Sequence, residues 1–191
     1  MQNKSIYLFV FLISLLFACN QKDVLPKPEA QLALKYEKPT YTLLDIADCP
    51  YQFKINTATR LKTPKTPKPC WTNIYYPKQK ATIFITYNAL NDTNLKDYLR
   101  DAQKLPLQHT SQAEQIEASI YKNEKNKTYG NFYEVEGDAA SQAQFYVTDS
   151  IHHFFSGSIY FDAVPNYDSI LPAAAYLKKD MRHIMESLTW K

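Results

Sequence analysis

A recurring period of two constrains this chain most. Tyr51–Asn56, Trp71–Tyr76, Ala81–Tyr87, Gln115–Lys122, Thr128–Glu136, Ser141–Thr148 and His153–Asp162 alternate in polarity or run rich in β-branched and aromatic residues. Short turns join most neighbours: Pro77-Lys78, Asn123–Lys127, Gly137-Asp138 and Asp149-Ser150. Strands joined by so few residues pair antiparallel, because a parallel pair needs a crossover of a dozen residues or more. Two segments have a helical period instead. Leu95, Tyr98, Leu99 and Ala102 form one apolar stripe behind the capping run Asn91–Asn94, and Pro106 ends or kinks that helix. Ile170, Ala174, Leu177, Met181, Ile184 and Leu188 form a second stripe after caps at Asn166–Asp168, with Pro172 expected in its first turn. One-sided helices must cover the sheet. The expected fold is α+β: an antiparallel sheet of about six or seven strands packed with two main helices.

The N-terminus follows other rules. Ile6–Ala18 is a run of 13 residues broken only by Tyr7 and Ser14, with Lys4 before it. A spanning helix needs ~20 apolar residues, so the run has the size of a signal-peptide core instead. It ends at Leu16-Phe17-Ala18-Cys19, which resembles the lipobox of bacterial lipoproteins. That resemblance implies acylation of Cys19 by fatty chains such as palmitate. Several chains bury enough methylenes, at ~0.8 kcal/mol each, to hold a protein stably at a bilayer. An ordinary secreted protein with a spare cysteine is the alternative. Residues 1–18 then read as the lipoprotein signal peptide, residues 19–40 as a lipidated, proline-bearing tether, and residues 41–191 as the single α+β domain. Gln31–Tyr36 alternates enough for a short edge strand.

Export places the remaining cysteines, Cys49 and Cys70, where disulfides persist, and their even number fits a bridge. Two buried free thiols are the alternative. From Cys49 through Asn91 there is no acid but there are seven cations, four of them in or near the stiff stretch RLKTPKTPKPC: Arg60, Lys62, Lys65 and Lys68. This loop reads as a membrane or partner contact, at ~1 kcal/mol per cation near an anionic surface, or as a plain solvated loop.

Little else suggests chemistry. The net charge of +3 does not suggest a nucleic-acid partner. His109, His152, His153 and His183 fit no metal-ligand spacing; His152 and His153, at a strand start, are expected to face opposite sides. His183 is expected near a helix C-terminus, where the dipole favours a cation. Ser156-Gly157-Ser158 lacks the nucleophile-elbow frame. Glu134 and Glu136 share a strand face and could pair for acid–base work, or be solvated edge carboxylates. Trp71 is expected against the disulfide rather than a sugar, and Trp190 is expected to anchor the last helical turn. No catalytic, metal-binding or cofactor-binding residue is assigned. An aromatic and polar patch around Asp138–Gln144 and Tyr160–Tyr167 is a candidate partner surface.

The element order is similar to that of the Mog1/PsbP type of sandwich. Several stretches resemble the gliding motility lipoprotein GldD family of Bacteroidetes: VLPKP (24–28), DCPYQF (48–53), CWTNIYYPKQKATIFITY (70–87), LKDYLRDAQKL (95–105), KTYGNFYEVEGDAASQAQFYVTDS (127–150) and GSIYFDAVPNYDSILP (157–172). The resemblance implies a cell-envelope lipoprotein needed for gliding and linked to type IX secretion, its domain in the periplasm beside proteins of that machinery. A binding or assembly module fits this; an envelope enzyme acting on a cell-wall or glycan substrate is the alternative.

Overall fold

Ten strands and two helices follow one another in the computed structural model, which describes residues 36–107, 113–162 and 167–191. The expected signal segment, Cys19, most of the expected tether with Gln31 to Lys35, His109 and Asn166 lie outside the described residues. The elements are β1 (Tyr41–Asp45), β2 (Tyr51–Asn56), β3 (Arg60–Lys62), β4 (Thr72–Tyr76), β5 (Ala81–Ala89), α1 (Leu95–Leu107), β6 (Ala113–Asn123), β7 (Thr128–Gly137), β8 (Ser141–Thr148), β9 (His153–Phe161), α2 (Tyr167–Ser187) and β10 (Thr189–Trp190).

Seven strands make the main sheet in the order β3-β4-β5-β9-β8-β7-β6, and every pair is antiparallel. The expected α+β architecture is therefore present. A second sheet, β1-β2-β10, is an addition that the alternation did not foretell. Its outer strands lack the signal: β1 is mostly exposed and β10 has two residues. Pro172 is the sixth residue of α2, so it falls in the second turn rather than the first and removes a helical donor there.

Alternation decides which face each strand residue joins. On one face Ile74, Ile83, Ile85, Phe145, Val147, Phe155 and Ile159 pack with Tyr51 and Phe53 of β2 and with Leu177, Met181 and Ile184 of α2. Phe155 touches Tyr51 and Phe53 edge-on, at centroid distances of 4.9 and 5.5 Å. On the other face α1 lays Leu95, Tyr98, Leu99 and Ala102 over Tyr133, Tyr146 and Phe154. The stripes read from the two helices are the stripes that are used.

With three glycines in the chain, other residues adopt left-handed backbone at several turns: Lys80 (φ 49°), Lys127 (φ 50°) and Ser150 (φ 68°), beside Gly137 (φ 96°). Gly130 serves a different purpose. A Cβ there would strike the Tyr146 carbonyl, so its absence lets β7 and β8 pair closely.

Candidate functional site

α1 packs on β8 and β9, and among the described residues no helix covers strands β4 and β5 on the same face. The loop after β3 folds towards this bare area. Between them lies an open cleft of about 560 Å³ lined by Lys62, Lys65, Trp71, Asn73, Thr82, Phe84, Thr86 and Asp162, among others. Each wall has a local cause. Thr82, Phe84 and Thr86 share one face of β5, because side chains alternate. Phe84 is 40% exposed and meets the Tyr160 ring edge-on at 5.6 Å. The Trp71 indole donates to the Tyr87 carbonyl at 2.9 Å. Lys68 sits 4.6 Å above the Trp71 ring, and Lys62 sits 3.0 Å above the Tyr75 ring.

The loop is fixed at its base. Cys49 and Cys70 form a disulfide with a Cα–Cα distance of 5.4 Å, and Tyr51 donates its hydroxyl to the Cys70 carbonyl at 2.6 Å. Burial pushes the Tyr51 hydroxyl well above its ordinary pKa, so it remains a donor. Arg60, Lys62, Lys65 and Lys68 are all exposed. The first two lie on β3 rather than in a loop, because β3 pairs with β4 in the register Arg60↔Tyr75 and Lys62↔Asn73.

A second polar cluster escaped the sequence reading. Asp180 on α2 is 1% exposed. It accepts hydrogen bonds from the Tyr41 hydroxyl at 2.6 Å and the Asn56 side-chain amide at 2.7 Å. The same amide also reaches the Tyr176 hydroxyl at 2.7 Å. Tyr76 faces the carboxylate from β4 without a hydrogen bond of good geometry. Burial first, then the Asp180 charge, raises the Tyr76 hydroxyl well above its ordinary pKa. Burial first, then the bond to Asp180, does the same for Tyr41. The carboxylate is thus held by neutral donors and ties α2 to β1 and β2. Its donors on β1 and β2 lie far from Asp180 in sequence, so no local motif announces it.

Other expected residues lie elsewhere. Glu134 is bound by Arg182 at 2.8 Å and by Lys178 at 3.6 Å, which ties its carboxylate to α2 rather than to Glu136. The His152 and His153 rings are 5.9 Å apart instead of on opposite sides, because His152 precedes the strand. Among the described residues no group of three or more His, Cys, Asp or Glu is placed to hold a metal. His183 lies near the C-terminal end of α2, as expected, and stacks on Tyr41 at 3.7 Å. Trp71, expected against the disulfide, lines the cleft. Trp190, expected to anchor the last helical turn, sits just past α2 on β10, where it donates to the Lys127 carbonyl at 3.1 Å and stacks on His153 at 4.7 Å. The patch expected at Asp138–Gln144 is mostly interior: Ser141, Gln142, Ala143 and Gln144 are buried on β8, which lies between β9 and β7.

The fold defines the class first. The chain shares a PsbP-like α+β sandwich with cyanobacterial PsbP (CyanoP) from Synechocystis sp. PCC 6803, whose solution structure it matches with a TM-score of 0.50 and 9% identity, over 81% of this chain and 95% of that one. A likeness at that identity shows fold alone. No curated protein matches the chain in sequence. The particular family comes from sequence. The model of gliding motility lipoprotein GldD matches residues 21–190, and the chain belongs to that family. It is thereby a membrane-anchored protein of the cell envelope.

Proposed function

We propose that this chain is a lipid-anchored binding or assembly module of the gliding machinery, linked to type IX secretion. Cys19 carries the acyl chains, residues 19–40 act as tether, and the sandwich works in the periplasm beside envelope proteins. From Cys19 to Tyr36 an extended tether reaches at most about 60 Å, at ~3.3–3.6 Å per residue. That length lets the domain meet a partner while the chain remains at its membrane. Arg60, Lys62, Lys65 and Lys68 form the contact surface.

One observation carries this reading. The described cleft is open and carries excess positive charge, whereas the buried Asp180 is satisfied within the fold and Glu134 is neutralised by two cations. An open, unbalanced surface suits contact with something outside the chain. An envelope enzyme acting on a cell-wall or glycan substrate is the weaker reading. Acid–base hydrolysis wants two converging carboxylates, and the cleft offers Asp162 with two lysines.

The test is crosslinking in the native envelope followed by recovery of the tagged protein. Gliding or secretion components should come with it, and Cys19→Ser should release it from the membrane. Recovery of no such component, with glycan cleavage by the purified domain, would reverse the assignment to the enzyme.

A further inference from the structure

The cleft is more specific than a charged surface needs to be. Its floor carries two aromatic groups, Trp71 and Phe84, and its walls carry Asn73, Thr82, Thr86 and Asp162. Aromatic rings offer flat apolar faces, and amides, hydroxyls and a carboxylate offer directional hydrogen bonds. That combination fits a molecule with one apolar face and a hydroxyl rim. Lys62 and Lys65 add positive charge on one side. A volume of about 560 Å³ is large for a single phosphate and lies within the ~300–1,000 Å³ usual for small-molecule sites.

Two further details oppose a lipid headgroup. Lys62 of β3 and Lys68 of the loop lie over the rings of Tyr75 and Trp71, which holds their charge beside the cleft rather than presenting it to a plane. Asp162 in the wall repels any anion beside it and accepts from hydroxyls, which suits a ligand of many hydroxyls and few charges better than a phosphate headgroup. We infer that the cleft binds a short acidic oligosaccharide, its rings against Trp71 and Phe84, its hydroxyls on Asp162, Asn73 and the threonines, and its carboxylate on Lys62 and Lys65. This rests on reading the basic loop as a contact surface and names what it contacts.

The test uses the purified soluble domain with its disulfide intact. The probes are tetragalacturonate, an N-acetylmuramic acid disaccharide, the methyl ester of tetragalacturonate, and vesicles rich in phosphatidylglycerol. Calorimetry should show binding of at least one acidic sugar, and the methyl ester should bind tetragalacturonate's site about tenfold more weakly or not at all, as for loss of a charge-assisted contact. Binding should shift tryptophan emission, and Trp71→Phe should remove that shift, since the other tryptophan, Trp190, is stacked on His153. Lys65→Gln and Phe84→Ala should each weaken binding about tenfold, while Lys54→Gln, on the other sheet, should change nothing. Failure of both acidic sugars to bind overturns the inference. So does vesicle binding that depends on Lys62 and Lys65 and that neither sugar competes away. Intact sugar binding by a protein that recovers no gliding or secretion component would support the cleft assignment and count against the assembly role alone.

Discussion

On one face of the main sheet Phe155 is fully buried between β2 and its own strand neighbours. On the other, Phe84 leaves 40% of its surface in solvent beside two lysines. Both residues come from strands of the same alternating kind, and β5 pairs with β9 directly. The difference is what covers them. The first face is sealed by α2 and the β1-β2-β10 sheet, and its buried carboxylate is satisfied by donors from β1 and β2. Among the described residues the second is covered where α1 reaches, and an aromatic and two cations line the open part. The sealed face holds the fold, and the open face is the part free to act.

That contrast has measurable consequences, the largest on the sealed face. Phe155→Ala should cost about 3–5 kcal/mol in urea unfolding, from lost burial plus the cavity. Phe84→Ala should cost far less, and equal losses would break the comparison. Replacing both Cys49 and Cys70 by Ser should cost about 3 kcal/mol, mainly by freeing the unfolded chain. It should also weaken acidic-sugar binding, because the bridge fixes the base of the basic loop. Asp180→Asn turns one acceptor of Tyr41 or Asn56 into a donor, and leaving a buried donor unpaired should cost about 1–3 kcal/mol. Sugar binding should be unaltered in that variant, as the carboxylate is outside the cleft.

The smallest effect is in the pH dependence. Burial lowers the His153 pKa below its usual 6.5, against the opposing pull of Asp149 and with the like charge of His152 adding to the fall. The folded state therefore takes up this proton at a lower pH than the unfolded chain does. The unfolded chain binds the proton first as pH drops below about 6.5, so stability is lost from there down to the lower folded value and then changes no further. Asp149 behaves similarly at lower pH. Burial raises its pKa, but the backbone amides of His152, His153 and Ile151 more than offset that and leave it lowered. Its contribution is present above the ordinary carboxylate value and lost as pH falls through the depressed one. His153→Gln should flatten unfolding free energy against pH just below 6.5 and leave the acid limb set by Asp149 in place.

Much of the fold was legible because local pattern and tertiary role agree. Ser141–Thr148 is a strand as read, and the Leu95–Ala102 and Leu177–Ile184 stripes bury as their spacing demands. The second sheet was not legible, since β1 gains its place from Tyr41 reaching Asp180, and β10 from pairing with β2. Sequence reading found the basic half of the cleft through its charge run. It missed the aromatic half, although ATIFITY carried a signal: Phe84 stands between Thr82 and Thr86, on the strand's polar side. A large aromatic at a polar-face position is a hint of contact. The interior polarity of Ser141–Gln144 misled in the opposite direction, because a central strand of a sheet covered on both faces buries polar and apolar residues alike.

The most direct test is colony spreading of a gliding host that lacks its own family member and carries this chain with Lys62→Gln, Lys65→Gln and Phe84→Ala combined. The account predicts a folded, membrane-attached protein at normal level and a loss of spreading, with Asp180→Asn at matched level still supporting it. Full spreading with the cleft disabled would contradict the claim that the open face is where this protein acts.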